Sequence, residues 1–232
     1  MREARVAVHV VPLDDAPAEE LTWLLDDDER ARACRFVSPA DRHRYIAAHA
    51  ALRLVLAAAT GIPAISLRFV NGRHGKPVLP DAPRVAFNLS HSGDRALVAV
   101  SHGPAVGVDL ETIRHDIEPV DLGTRCFSSG EQAELLALPA DQRVRGFFNA
   151  WTRKEAYLKG RGDGIAFGLE HFDVTLTPDR PATLRADRRD PRAACTWTMT
   201  DLRVPPGFVA ALALEGATPT LSYHDFPFPG SA

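Results

Sequence analysis

Residues 147–159 read FFNAWTRKEAYLK. The segment is rich in helix formers, has no internal Gly or Pro, and halts at Gly160 and Gly162, so it is expected to be a helix. Phe147, Phe148, Trp151 and Leu158 fall in one broad apolar sector, the face that packs on a core. Glu155 and Lys159 are four apart and share a face, so a carboxylate and an ammonium can point into one cleft. Taken alone, such a pair is ordinarily a surface ion pair worth about 0.3–0.5 kcal/mol. Other carboxylates in the chain give it more meaning.

The second stretch is Val106–Glu111, VGVDLE. A strand alternates its faces, so Asp109 and Glu111 project to one side and Val108 and Leu110 to the other. Neighbouring carboxylates repel unless a proton or cation lies between them. The pair is either solvated or a platform for a hard divalent ion. Mg²⁺ takes oxygen ligands and completes its octahedron with substrate phosphate and water. Glu155 would add a third carboxylate.

The remaining chain supplies a frame. Arg5–Val11 alternates like a strand, and Ala18–Leu25 reads as a short helix. The acidic run Asp26–Glu29 leads into Arg30, Arg32, Arg35, Arg42 and Arg44, which are either a solvated surface or a phosphate-gripping patch. Ser38 and Pro39 resemble an N-cap and first helical residue, opening an Ala-rich helix to about Ala59 that Gly61 and Pro63 end. Ile65–Val70 reads as a strand. The loop NGRHGKPVLP carries Lys76 between Gly75 and Pro77. Val85–Leu89 and Arg95–Ser101 form a hairpin across the polar corner Ser90-His91-Ser92-Gly93. Ser128–Glu131 is an S-x-x-E capping box for a helix through Leu138, with Phe127 before it as either a staple or an exposed contact. His171–Thr177 is expected as a strand, and Cys195–Val204 pairs with Phe208–Leu214 across Pro205-Pro206-Gly207. The tail HDFPFPGSA carries no assignable chemistry.

The 232 residues are 45% hydrophobic and 25% charged, ordinary for a globular protein, and the net charge of −3 gives no basic field for nucleic acid. Cys34, Cys126 and Cys195 are widely spaced and expected to be free thiols in a reducing compartment. No signal-peptide pattern or membrane span is seen, since His49 and Arg53 interrupt Ile46–Ala59. A cytoplasmic location is expected.

The order helix, glycine break, strand, loop, hairpin occurs twice, over 39–101 and 151–214. This points to an α+β fold of two similar halves, each a small antiparallel sheet on a long helix, related by a pseudo-twofold. A ligand cleft would lie between them.

The set GKP (Gly75–Pro77), FNLSHS (Phe87–Ser92), VGVDLE, RCFSSGE (Arg125–Glu131) and WTRKEAYLK (Trp151–Lys159) resembles the 4′-phosphopantetheinyl transferases, of the doubled surfactin-synthetase-activator type, over about residues 5–215. The resemblance implies one pseudo-dimeric unit. It implies that residues 1–104 form the nucleotide-binding half and 105–232 the metal-binding, catalytic half. It implies transfer of the phosphopantetheine arm of coenzyme A, the donor substrate, to a serine of an acyl, aryl or peptidyl carrier protein, with release of 3′,5′-ADP. Mg²⁺, or Mn²⁺ in its place, would be required. By motif, Asp109, Glu111 and Glu155 would be metal ligands, and Lys159 would hold a pyrophosphate oxygen. His91, Ser90 and Lys76 would bind the adenosine and 3′-phosphate end. Arg32, Arg44, Tyr45 and Lys154 are further expected coenzyme A contacts. At the position beside Arg32 where a second lysine is common, this chain has Glu29. The variable segment Thr112–Phe127 would dock the carrier, with Arg125 and Phe127 as contacts.

The incoming serine must lose a proton as it attacks, and Glu155 is the candidate base, either directly or through a metal-held water. Catalysis would thus rest on Glu155, Lys159 and His91. The rival readings are a non-catalytic coenzyme A or carrier-binding module, a metal-dependent nuclease or phosphatase, and a nucleic-acid-binding domain. The intact acids argue against the first, the net charge gives the second no support, and the third is weaker still because few aromatics lie among the N-terminal arginines. The internal doubling favours a monomer that acts without nucleic acid or membrane.

Overall fold

The computed structural model describes residues 4–72, 75–164, 167–216 and 218–228. Two copies of one motif account for its centre. The first runs from strand β1 (Arg5–Pro12) through short helices α1 (Ala18–Leu21) and α2 (Asp27–Ala33) to the long helix α3 (Pro39–Thr60). After the two-residue strands β2 (Val70–Asn71) and β3 (Pro77–Val78) it closes with the hairpin β4 (Val85–Ser92) and β5 (Arg95–His102). The second begins with β6 (Val106–Thr112), followed by α4 (Pro119–Cys126), α5 (Ser129–Ala137) and the long helix α6 (Ala140–Arg161). It continues through β7 (Phe172–Val174), β8 (Leu184–Asp187) and α7 (Ala193–Thr196) to the hairpin β9 (Trp197–Asp201) and β10 (Phe208–Glu215).

The sheets repeat the same order: β1-β5-β4 in the first half and β6-β10-β9 in the second. Both long helices have 22 residues and stop at a glycine in the left-handed region, Gly61 (φ 75°) and Gly162 (φ 76°), where a side chain would be strained. The expected α+β fold with repeated halves is therefore present. Its central strands RALVAVSH and FVAALALE are buried on both faces, which explains their nearly unbroken apolar character. One face of each packs on its own long helix. The other faces meet in a third core, where Leu97 and Ala99 join Val106, Val108, Leu110 and Leu212.

Local expectations are met at the caps. Ser38 accepts from Asp41 N–H (3.3 Å), and Ser128 and Glu131 complete both bonds of a capping box (3.2 and 3.0 Å). Three strands are shorter than expected. Residues 64–66 form a 3₁₀ turn, because the buried Arg53 guanidinium takes the carbonyls of Ala64 (3.2 Å) and Leu67 (3.0 Å) that a neighbouring strand would need. Pairing starts only at Val70. The strand within 171–177 is limited to Phe172–Val174; Thr175 N–H still donates to the Thr183 carbonyl (3.0 Å), but the Thr175 carbonyl goes to Arg153 (2.6 Å). Cys195 lies in the turn of helix α7 that precedes β9.

A further strand, β11 (Thr220–Asp225), runs parallel to β1 on its outer edge. The chain thus returns from the second repeat to finish the sheet of the first. Arg73 and His74 of the expected loop, and residues 229–232 of the tail, lie outside the described residues. Among the described residues, no helix is long and apolar enough to cross a membrane.

Candidate active site

Strand β6 crosses α6 at Gly107, where the absence of a side chain lets the two backbones touch. That contact brings Asp109 and Glu111 on one face of the strand toward Glu155 and Lys159 on one face of the helix. The two spacings identified in the sequence therefore converge. Lys159 Nζ donates to Asp109 Oδ1 at 2.5 Å and to Ser90 Oγ at 3.1 Å, and Ser90 Oγ in turn donates to Asp109 Oδ1 at 3.0 Å. Glu111 is held at both oxygens, by Trp151 Nε1 (3.0 Å) and Ser92 Oγ (3.3 Å).

The acids are short of positive charge. Burial pushes the Asp109 carboxyl upward despite the opposing pull of Lys159 and Ser90. Burial and then the Asp109 charge raise Glu111 and Glu155 in the same direction. Asp109 is 3% exposed and Glu155 9%. Asp109 Oδ2 and Glu155 Oε1 are both buried without a hydrogen-bond partner. Orphaned anionic oxygens in a buried site are costly unless a cation or proton satisfies them.

The donor set of three carboxylates fits a hard divalent ion such as Mg²⁺ or Mn²⁺. In the present arrangement the side chains are not gathered around one point. Among the described residues, no group of three or more His, Cys, Asp or Glu side chains is placed to hold a metal, and Lys159 occupies Asp109.

A cavity of about 570 Å³ opens beside these groups between the two halves, lined by Arg32, Gly75, Lys76, Asn88, Glu155 and Lys159. A smaller one, about 280 Å³, adjoins it and shares Arg32, with Tyr45 and His49 in its wall. Arg32 lies over the Tyr45 ring, 5.8 Å from its centroid. His91 lies on the exposed side of β4. The surrounding protein lowers its basicity, and the charges of His49, Lys159 and Arg32 add to the effect. Arg32 and Lys159 supply positive charge suited to phosphate here, while Asp26, Asp28 and Glu29 also line the smaller cavity. His49, which sequence reasoning missed, is hydrogen-bonded through Nδ1 to Glu29 at 2.9 Å. Its only sequence signal is a polar residue in the middle of an Ala-rich helix.

Other expected contacts are committed to partners within the protein or lie outside the cleft. Lys154 faces away from the cleft and is fully buried, with its ammonium committed to Glu131 (2.7 Å) and to the Leu169 carbonyl (2.8 Å). One position before Glu155, it is turned about 100° around the helix and reaches the opposite core. Lys76 donates to the carbonyls of Val106 (2.9 Å) and Gly160 (2.8 Å), and burial lowers its pKa to about 8. Its charge therefore ties the first-half loop to the start of β6 and the end of α6. Arg44 grips Asp14 by two bonds (2.6 and 2.9 Å) and lines neither cavity. Tyr45 is buried. Phe127, also buried, packs against Phe147 with ring centroids 5.3 Å apart, so it is a core residue and not a surface contact. Arg125 remains exposed, at a cavity of about 370 Å³ formed with Glu111, Leu122, Phe148 and Trp151.

Comparison with known proteins agrees with this arrangement. Residues 105–213 match the family model of the 4′-phosphopantetheinyl transferase superfamily, and residues 15–103 that of the 4′-phosphopantetheinyl transferase N-terminal region. The chain is 38% identical over 211 residues to the 4′-phosphopantetheinyl transferase HetI of Nostoc sp., covering 89% of this chain and 86% of that protein. It is 36% identical to psf-1 of Bacillus pumilus, a 4′-phosphopantetheinyl transferase, covering 83% and 84% of the two chains. To Sfp of Bacillus subtilis, another 4′-phosphopantetheinyl transferase, it is 28% identical over 93% of this chain and 90% of the relative. A doubled α+β fold with clustered acids in the cleft defines a group-transfer enzyme of this architecture. The chain belongs to the 4′-phosphopantetheinyl transferase superfamily and is an enzyme of that class.

Proposed function

We propose that the enzyme transfers the 4′-phosphopantetheine arm of coenzyme A to a serine hydroxyl of an apo carrier protein, releasing 3′,5′-ADP, in a Mg²⁺-dependent reaction. The observation that carries this reading is the pair of orphaned oxygens, Asp109 Oδ2 and Glu155 Oε1, beside a cleft lined by Arg32, Lys76 and Lys159. Asp109, Glu111 and Glu155 would hold the ion. When bound, Mg²⁺ would neutralise charge on the pyrophosphate and the leaving group.

The protein's own groups divide the remaining work. Lys159, with a side chain 30% exposed, is paired with Asp109 and would turn to a pyrophosphate oxygen when the donor binds. Arg32 and His91 would receive the nucleotide end. The serine oxygen forms a bond to the β-phosphorus as the bridge to the α-phosphorus breaks, and its proton passes to Glu155. Burial and the Asp109 charge raise the Glu155 carboxyl, the direction that favours proton uptake, and the proton can pass to it directly or through a water. The cavity beside Glu111, with Arg125 at its edge, would admit the carrier. Two halves in one chain complete the site, so the active form would be a monomer.

The test is intact-mass spectrometry of an apo carrier incubated with the enzyme, coenzyme A and Mg²⁺. A gain of one phosphopantetheine arm, abolished by EDTA, is expected. Coenzyme A binding with no gain on acyl, aryl or peptidyl carriers would overturn the reading.

A further inference from the structure

The two halves meet along β4 and β6 through side chains, without a backbone ladder between those strands. Asn88 Oδ1 accepts from Val108 N–H at 2.8 Å, Ser90 Oγ from Leu110 N–H at 3.2 Å, and Ser92 Oγ from Thr112 N–H at 3.0 Å. Alternate side chains of one strand thus satisfy alternate amides of the next. Ser90 and Ser92 then reach past the amides to the carboxylates of Asp109 and Glu111.

The hydroxyl at Ser92 has one proton and two acceptor positions. One acceptor position is filled by Thr112 N–H. Two oxygens remain in reach, Glu111 Oε2 at 3.3 Å and Thr112 Oγ1 at 3.2 Å. One arrangement satisfies all of them: Thr112 donates its hydroxyl proton to Ser92, and Ser92 donates its own to Glu111. Glu111 is then gripped from opposite sides, by Ser92 of the first half at Oε2 and by Trp151 of the second at Oε1. Glu155 has no such support, and its Oε1 has no donor.

We infer that Ser92, oriented by Thr112, is a positioning residue that fixes the Glu111 carboxylate for a divalent ion, so the first half sets a ligand belonging to the second. This rests on the proposed metal role of Asp109, Glu111 and Glu155. Outer hydrogen bonds of this kind typically govern metal affinity because they remove the ligand's freedom to turn away.

The test is Mn²⁺ binding measured by electron paramagnetic resonance in the presence of coenzyme A, with coenzyme A affinity measured separately without metal. Ser92→Ala is expected to weaken Mn²⁺ binding about tenfold or more, within the usual range for outer-shell losses, and to leave metal-free coenzyme A affinity unchanged. Ser92→Thr, which keeps the hydroxyl, is expected to restore most of the affinity. A folded Ser92→Ala protein with wild-type Mn²⁺ affinity would overturn the inference. If Ser92→Ala does not fold, Thr112→Val tests the same chain of hydroxyls: weaker Mn²⁺ binding supports it and unchanged binding overturns it. Failure of the wild-type protein itself to bind Mn²⁺ would remove the metal reading, and this inference with it.

Discussion

Gly107 and Gly160 touch backbone to backbone where β6 crosses α6. A Cβ on Gly107 would lie 2.2 Å from Gly160 N and 2.0 Å from the Ala156 carbonyl oxygen, and neither atom belongs to a side chain that can turn aside. The distance between the strand acids and the helix acids is therefore set by the lack of one methyl group.

Gly107→Ala should push β6 off α6. The expected loss of stability is about 3 kcal/mol, the upper end of ordinary over-packing. Transfer should fall about 100-fold, as for an ångström-scale misplacement of reacting groups. Urea unfolding and single-turnover mass spectrometry report the two effects. Near-wild-type values in both would mean that the backbones yield.

Glu155→Gln keeps the shape and removes the charge. Transfer is expected to drop by about 10²–10⁴, the range for loss of a general base. Coenzyme A should still bind, because the cationic groups of the cleft are untouched. A wild-type rate across the pH range would eliminate both the base and the ligand roles.

Lys154→Met separates a structural lysine from a ligand-binding one. The variant leaves Glu131 buried without its ion partner, which should cost about 3–5 kcal/mol. Coenzyme A affinity of the folded fraction should not change. Weakened coenzyme A binding at unchanged stability would place Lys154 back in the cleft.

His9 and His224 stack across β1 and β11 with ring centroids 4.9 Å apart. Burial, and then the charge of His224, lower the His9 pKa to about 4. An unfolded chain takes up this proton near pH 6.5, which the folded chain refuses until about pH 4. Its contribution to stability is therefore complete above pH 6.5 and lost as pH falls toward 4. His9→Gln should lose less stability than the wild type between pH 7 and pH 4.5. Parallel denaturant midpoints for the two proteins would refute this.

Much of this architecture was legible before any coordinates. The i, i+4 spacing of Glu155 and Lys159 and the i, i+2 spacing of Asp109 and Glu111 carry their own geometry, because each lies within one regular element. The two helix-ending glycines are legible for the same reason. What was hidden depends on distant partners. Lys154 looks like a cleft lysine until Glu131, which the sequence shows only as a capping residue, turns out to be its buried mate. That Lys76 also ties the two halves together shows only once the carbonyls of Val106 and Gly160 appear beneath it. In FNLSHS, the alternation Asn88, Ser90, Ser92 is plain, but its role at the seam needs β6 alongside. The short strand 220–225 lacks a flanking pattern and is defined by the open edge of β1.

The return of β11 to the edge of β1 also bears on how the chain can be divided. The link between the repeats passes through Gly103, at φ 120° with open space around it. A cut there would yield two fragments, one holding an uncovered sheet edge and the other the strand that covers it. The native protein thus contains a matched pair for fragment complementation, in which transfer activity would report that two separately made pieces had met.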